Sequence, residues 1–254
     1  MDLSALTVVQ VRKACLSQES PSQELLQQLR NDSRQGVRQI HTLLINRLDK
    51  KRREQQRIES MLYFEKNLWK DGVSLVGGVD EVGMGALAGP VIAAAVIFPS
   101  QIFIPGVNDS KRLSPKKRLQ VVKAIKQHAI AFQIGSASVD EIDDLNIYQA
   151  SILAMQRAVE GLSQKPCHLL VDAKTIPEVD IPQSSIVKGD SLSFSIAAAS
   201  IVAKTFRDQL MINLDRQYPQ YGLRVHKGYG TPQHQMAIKT HGLTRIHRRS
   251  FRFS

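Results

Sequence analysis

The spacing of apolar positions changes once along the chain. Up to about residue 72 leucines recur at helical intervals, as in Leu25, Leu26 and Leu29 and again in Leu43, Leu44 and Leu48. Ser22 stands before Glu24 and Leu25 as a helix N-cap, and the stretch holds one glycine and one proline before Asp71. It predicts two or three helices, with the charged run Lys50 to Arg57 as a solvated helical face. From Ser74 the texture is that of strands. Leu75 to Val82 and Val91 to Phe98 predict the first two, and the second is apolar throughout, as a strand buried on both faces is. Ser114 and Pro115 open a helix that runs to about His128. Ala131 to Val139 predicts a third strand, Asn146 to Leu162 an amphipathic helix, His168 to Ala173 a fourth strand and Gln183 to Lys188 a fifth. Asp190 then begins a long helix through roughly Tyr218, whose first half, Phe194 to Ala203, is small and apolar and able to lie close on a sheet. The expected architecture is an α/β domain over 74–254 with a helical N-terminal extension over 1–72. The extension is read either as packing or as an auxiliary nucleic-acid-binding module.

Composition narrows the function classes. The 254 residues are 43% hydrophobic and carry a net charge of +11. The pI near 9.8 points to an anionic partner, most simply nucleic acid. Cys15 and Cys167 form no CxxC pair, so reduced thiols and a cytoplasmic location are expected rather than a disulfide framework. The opening Met-Asp-Leu-Ser-Ala-Leu lacks the features of a secretion signal. No apolar run reaches the roughly 18 to 20 residues of a membrane span, so no membrane partner is expected.

The candidate chemistry lies in carboxylates at the ends of apolar runs. Asp80 and Glu81 precede a glycine-dense turn with Gly83, Gly85 and Gly89, while Asp172 ends the fourth strand and Asp190 follows the fifth. Neighbours in a strand face opposite ways, so Asp80 and Glu81 share a metal only if the strand ends or bulges there. Asp190 is equally an N-cap of its helix, and the two roles are compatible. Four converging carboxylates suit a pair of hard cations, Mg²⁺ or Mn²⁺. Such a pair, about 3.5 to 4 Å apart, serves in-line phosphoryl displacement. Glycines let backbone amides approach a phosphodiester closely.

The C-terminal stretch from Arg224 holds seven Lys or Arg, four His and no acid. Lys227, Arg245, Arg248, Arg249 and Arg252 are candidate phosphate contacts. His226, His234, His241 and His247 lack zinc-site spacing and read as surface or packing histidines. Tyr229, between glycines, is either an exposed ring able to stack on a sugar or base or an ordinary loop tyrosine.

These motifs, in this order, resemble ribonuclease HII, the bacterial type 2 ribonuclease H. The resemblance rests on Gly78 to Pro90, Asn108 to Ser114, Leu170 to Asp172, Lys188 to Asp190 with Ser195 to Lys204, and His226 to Thr231. It covers the chain from about residue 74, and the first 72 residues look like the extension of some bacterial members. It implies a ribonuclease H-like mixed sheet flanked by helices and endonucleolytic cleavage of RNA in RNA–DNA hybrids, single embedded ribonucleotides included. The products would carry a 3′-hydroxyl and a 5′-phosphate. It implies Asp80, Glu81, Asp172 and Asp190 as catalytic acids, with Asp80, Glu81 and Asp172 as metal ligands, Asp80 bridging and Asp190 serving chiefly the second metal. Gly83, Met84 and Gly85 match the turn that reads the 2′-hydroxyl, Tyr229 the tyrosine that stacks on the junction sugar, and Lys111 falls in a substrate-binding motif. A monomer is expected. Met84 stands where the family usually has Arg, and Ala86 where it usually has Pro. A backbone contact survives the first change and a guanidinium contact does not. A related type 3 ribonuclease H, or a catalytically weak hybrid-binding protein on the same fold, is the competing reading.

Overall fold

The computed structural model describes residues 3–18 and 20–253. The chain divides into two compact units, Met1–Arg57 and Ile58–Ser254. The first contains α1 (Val8–Leu16), α2 (Gln23–Asn31) and most of α3 (Gln35–Met61). Thr7 caps α1 in a reciprocal capping box with Gln10, and Ser22 caps α2 as its position predicts. The helices bury Val11, Cys15, Leu25, Leu29, Val37, Ile40 and Leu44 on one another.

The second unit begins with the end of α3 and adds α4 (Tyr63–Lys70), a fourth N-terminal helix where two or three were expected. Its sheet consists of β1 (Val76–Val82), β2 (Val91–Ile97), β3 (Ala131–Ala137), β4 (His168–Asp172) and β5 (Gln183–Ile186). The order across the sheet is β3-β2-β1-β4-β5. β1 runs antiparallel to β2 and parallel to β4, β2 antiparallel to β3, and β4 parallel to β5. The sheet is therefore mixed. β2 is buried at every position, which is why its sequence never alternates.

Helices cover both faces: α5 (Pro115–His128), α6 (Val139–Leu145), α7 (Ile147–Glu160), α8 (Gly189–Leu192) and α9 (Phe194–Gln217), followed by α10 (Leu223–His226) and α11 (Pro232–His241). One core layer packs Ile92, Ala94, Val96 and Phe98 against Phe194, Ala198 and Ile201 of α9, and the other packs Ala93, Ala95 and Val171 against Ala154, Met155 and Ala158 of α7.

Close approach explains two glycines. A Cβ on Gly78 would lie 2.1 Å from the Ser195 carbonyl carbon, and one on Gly135 2.0 Å from the Ala154 carbonyl oxygen. Neither α9 nor α7 could lie so close to the sheet over any side chain.

Three sequence expectations are corrected here. The single helix expected from Asp190 is two, α8 and α9, broken at Ser193 in extended conformation. Asp190 is not an N-cap: Lys188, with φ of 59°, precedes α8, and Asp190 lies in its first turn. The third strand stops at Ala137 because Ser138 starts α6 with a capping box to Glu141. Among the described residues, no helix is long and apolar enough to cross a membrane.

Candidate active site

β1 carries no bulge at the acids, pairing Asp80 with Ala94 and Glu81 with Ala93, and it ends one residue later at Val82, before Gly83 with φ of +96°. On the other side the pairing stops sooner. The parallel register with β4 ends at Val79 and Val171, so Asp80 and Asp172 stand side by side where the two strands part. A cavity of about 480 Å³ opens at this point. It is lined by Asp80, Glu81, Gly83, Met84, Gly85, Lys111, Asp172 and Tyr229. Ser110, Ser200 and Lys204 line it as well, and none of these three was singled out from the sequence. Asp190 is not in the cavity lining. Its carboxylate is tied to Lys111, whose Nζ donates to Oδ2 at 3.1 Å. The backbone holds Asp172 and Asp190 together, since the Gly189 N–H donates to Asp172 Oδ1 at 2.7 Å.

The electrostatics follow from burial and crowding. Asp80 is 4% exposed. Burial first, then the charges of Glu81 and Asp172, push its carboxyl well above the usual range, against hydrogen bonds from Ser200 and the Glu81 N–H. Burial and the nearby Asp190 raise Asp172, opposed by the Gly189 N–H and two lysines. Glu81 forms an ion pair with Lys174, both side chains nearly buried. Lys174 follows β4 and carried no recognisable signal in the sequence. The crowded carboxylates thus favour added positive charge, and two lysines supply part of it.

The glycine turn is held from behind by two buried arginines. Arg207 donates to the carbonyls of Pro90, Lys227 and Ala88 at 2.9 to 3.0 Å. Arg248 donates to Gly89 and to Met84 at 2.9 and 3.0 Å. Arg248 is 0% exposed, so its expected role as a phosphate contact is corrected: it is spent on the turn. Gly83 has φ of +96°, and a Cβ there would lie 2.3 Å from Arg207 Nε. Tyr229 is not a free exposed ring. It is half-buried beneath Lys204 and Arg207, at 5.6 and 5.5 Å from ring centre to cation, and its backbone bridges to Ala86. His226, His234 and His247 are buried packing residues, and His241 is exposed. Of the other basic residues, Lys227 is half-buried with Nζ on the Arg224 carbonyl, and Arg245 donates to the Tyr218 hydroxyl. Arg249 and Arg252 are exposed.

The family model for ribonuclease HII matches residues 77–253, and the model for the ribonuclease HII N-terminal domain matches residues 7–69. The chain belongs to the ribonuclease HII family. The ribonuclease HII of Myxococcus xanthus is 52% identical over 228 residues, 89% of this chain and 78% of its own. Among solved structures, ribonuclease H2 from Pyrococcus horikoshii superposes with a TM-score of 0.61 at 24% identity, covering 70% of this chain and 94% of that one. Bst-RNase HIII in complex with Mn²⁺ gives 0.56 at 19% identity, covering 71% and 68%. Type 2 and type 3 enzymes thus share the mixed sheet, and the family match over the chain's own sequence selects the former. Membership makes the chain a nuclease of the ribonuclease H class and identifies the N-terminal helices as a family domain.

Proposed function

We propose that the chain is an endoribonuclease that hydrolyses RNA in RNA–DNA hybrids and nicks duplex DNA on the 5′ side of embedded ribonucleotides, leaving 3′-hydroxyl and 5′-phosphate ends. The observation that carries this reading is the presence of Asp80, Glu81 and Asp172 in the lining of one cavity that the Gly83–Gly85 turn and Tyr229 also line.

The donor set fits divalent Mn²⁺ or Mg²⁺. It is all oxygen, as hard cations require, and Asp80 is buried among like charges that an added cation would relieve. Among the described residues no three His, Cys, Asp or Glu side chains already surround a common point. Loading therefore requires Glu81 and Asp190 to leave Lys174 and Lys111. Asp80, Glu81 and Asp172 would hold the ions, with Asp190 serving the second. When bound, such a pair activates water and stabilises the leaving oxygen of an in-line displacement.

The rest of the work falls to the chain itself. Gly83 and Gly85 let the backbone come close to the ribose, and Gly85 has nothing within 4 Å of where a Cβ would stand. Tyr229 offers an aromatic face to the sugar beside the cleaved bond, with its orientation fixed by Lys204 and Arg207. Lys111 stands 78% exposed at the cavity edge, free to exchange Asp190 for a phosphate.

The test uses an end-labelled DNA duplex with one internal ribonucleotide beside a continuous RNA–DNA hybrid. The reading expects a single nick 5′ of the ribonucleotide, multiple cuts in the hybrid, ligatable ends, and no cutting in chelator. Cutting that ignores the ribonucleotide, or that survives chelator, contradicts it.

A further inference from the structure

We infer that Glu65, on the helix α4 ahead of the sheet, is a positioning residue for Asp190: it locks the joint between α8 and α9 and so sets where the Asp190 carboxylate stands relative to Asp80 and Asp172. The inference rests on the metal-site reading above.

α4 lies against the second unit's sheet through Phe64, Leu68 and Trp69, which pack with Val76, Leu170, Ile186 and Ile196. Glu65 points the same way and is 0% exposed. A carboxylate on a surface helix normally faces water, and its burial opposes ionisation and pushes its carboxyl above the usual range. Among the described residues it forms no ion pair with a lysine or arginine. Its Oε1 instead accepts from the Ser193 hydroxyl at 2.6 Å and from the Ser195 N–H at 2.8 Å.

Those two residues are the joint. Ser193 closes α8 by donating its N–H to the Gly189 carbonyl at 2.8 Å. It opens α9 by accepting the Ile196 N–H on its hydroxyl at 3.3 Å. α8 is four residues long and cannot hold its direction alone. Its front end is tied to Asp172 through the Gly189 N–H, and its back end to Glu65 through Ser193. Asp190 lies between these ties. Ser195 also lies against Gly78, two residues before Asp80. One carboxylate from α4 therefore fixes the seam where β1 and the α8–α9 joint meet. All but the last residue of α4 lies within the N-terminal family match, which ends at residue 69, and the helix precedes the catalytic match that begins at residue 77. The helix supplies a support that the catalytic segment does not contain.

The experiment is calorimetric titration of Mn²⁺ into the full-length chain and into Glu65→Ala, Glu65→Gln, Asp190→Asn and the double variant Glu65→Ala/Asp190→Asn, each with its unfolding temperature. Glu65→Ala is expected to weaken Mn²⁺ binding roughly tenfold, the low end for residues that orient metal ligands. Glu65→Gln keeps an acceptor at Oε1 and is expected to bind within about twofold of the parent. In the Asp190→Asn background Glu65→Ala is expected to add nothing further, because the carboxylate it positions is gone. A purely structural Glu65 would lower the unfolding temperature and leave the Mn²⁺ isotherm unchanged; that result overturns the inference. If Glu65→Ala does not fold, Ser193→Ala breaks the same tie from the other side and must weaken Mn²⁺ binding in its place. A parent chain that binds no Mn²⁺ overturns the metal-site reading, and the inference with it.

Discussion

The Nε2 atoms of His234 and His247 lie 3.3 Å apart, and their neighbours decide which one donates. The Thr244 N–H reaches His247 Nδ1 at 3.0 Å, so that nitrogen accepts and the proton sits on Nε2. His234 Nδ1 faces the Tyr229 carbonyl at 3.1 Å and must donate, which leaves its Nε2 to accept from His247. A one-way chain of neutral imidazoles thus runs from the C-terminal segment to the backbone of Tyr229.

Protonating that chain breaks it. Burial holds His234 down to about 4, against 6.5 for an ordinary histidine, and lowers His247 too. Between those values the unfolded chain binds a proton that the folded chain refuses. The contribution to stability is therefore complete above about pH 6.5 and is lost as pH falls toward 4. The His234 gap corresponds to at most about 3 kcal/mol. Urea unfolding at about pH 7 and about pH 5 should cost the parent roughly 2 kcal/mol more than His234→Gln. Equal losses would contradict the neutral-imidazole assignment.

Arg207 is the second point of leverage. Its guanidinium is fully buried, makes three hydrogen bonds to carbonyls and, among the described residues, forms no ion pair with a carboxylate. Arg207→Met leaves those three carbonyls without a donor, at about 1 to 3 kcal/mol each before relaxation. A net loss of about 3 kcal/mol or more is expected in thermal or urea unfolding. A loss under about 1 kcal/mol would mean that the turn and the Tyr229 loop hold each other without it.

Met84 tests how the turn meets its substrate. Its carbonyl is occupied by Arg248, while its side chain is half-buried against the α7-side core and brings no charge to the cavity. Met84→Arg should tighten binding of a ribonucleotide-containing duplex by about 1 kcal/mol, with the gain shrinking as salt rises. Unchanged affinity at low salt would show that the backbone of the turn suffices.

The sequence reading succeeded where one local feature decided the outcome. Apolar runs marked β2 and β4, Ser114 and Pro115 marked the start of α5, and three of the four acids at run ends, all but Asp190, line one cavity. Thr231 and Pro232 carry the same cap-and-proline signal and do start α11, a helix that is not among the sequence expectations. The misses depended on distant partners. The break at Ser193 interrupts no pattern, because the joint is made by Glu65, 128 residues earlier. Arg248 looks like its neighbour Arg249 in sequence, yet one is buried behind the turn and the other is exposed. Lys174 becomes notable only once β1 and β4 part and bring it to Glu81.

The most direct test of the central claim is cleavage of a duplex with one ribonucleotide by the parent and by Asp80→Asn, side by side in Mn²⁺. Asp80 is the most deeply buried of the three cavity acids, and the asparagine keeps its shape while removing its charge. The account predicts a nick 5′ of the ribonucleotide by the parent and a loss of at least about a thousandfold in the variant, as expected when charge stabilisation at the reacting centre is removed. An Asp80→Asn protein that is folded and nicks at the parent's rate would contradict it.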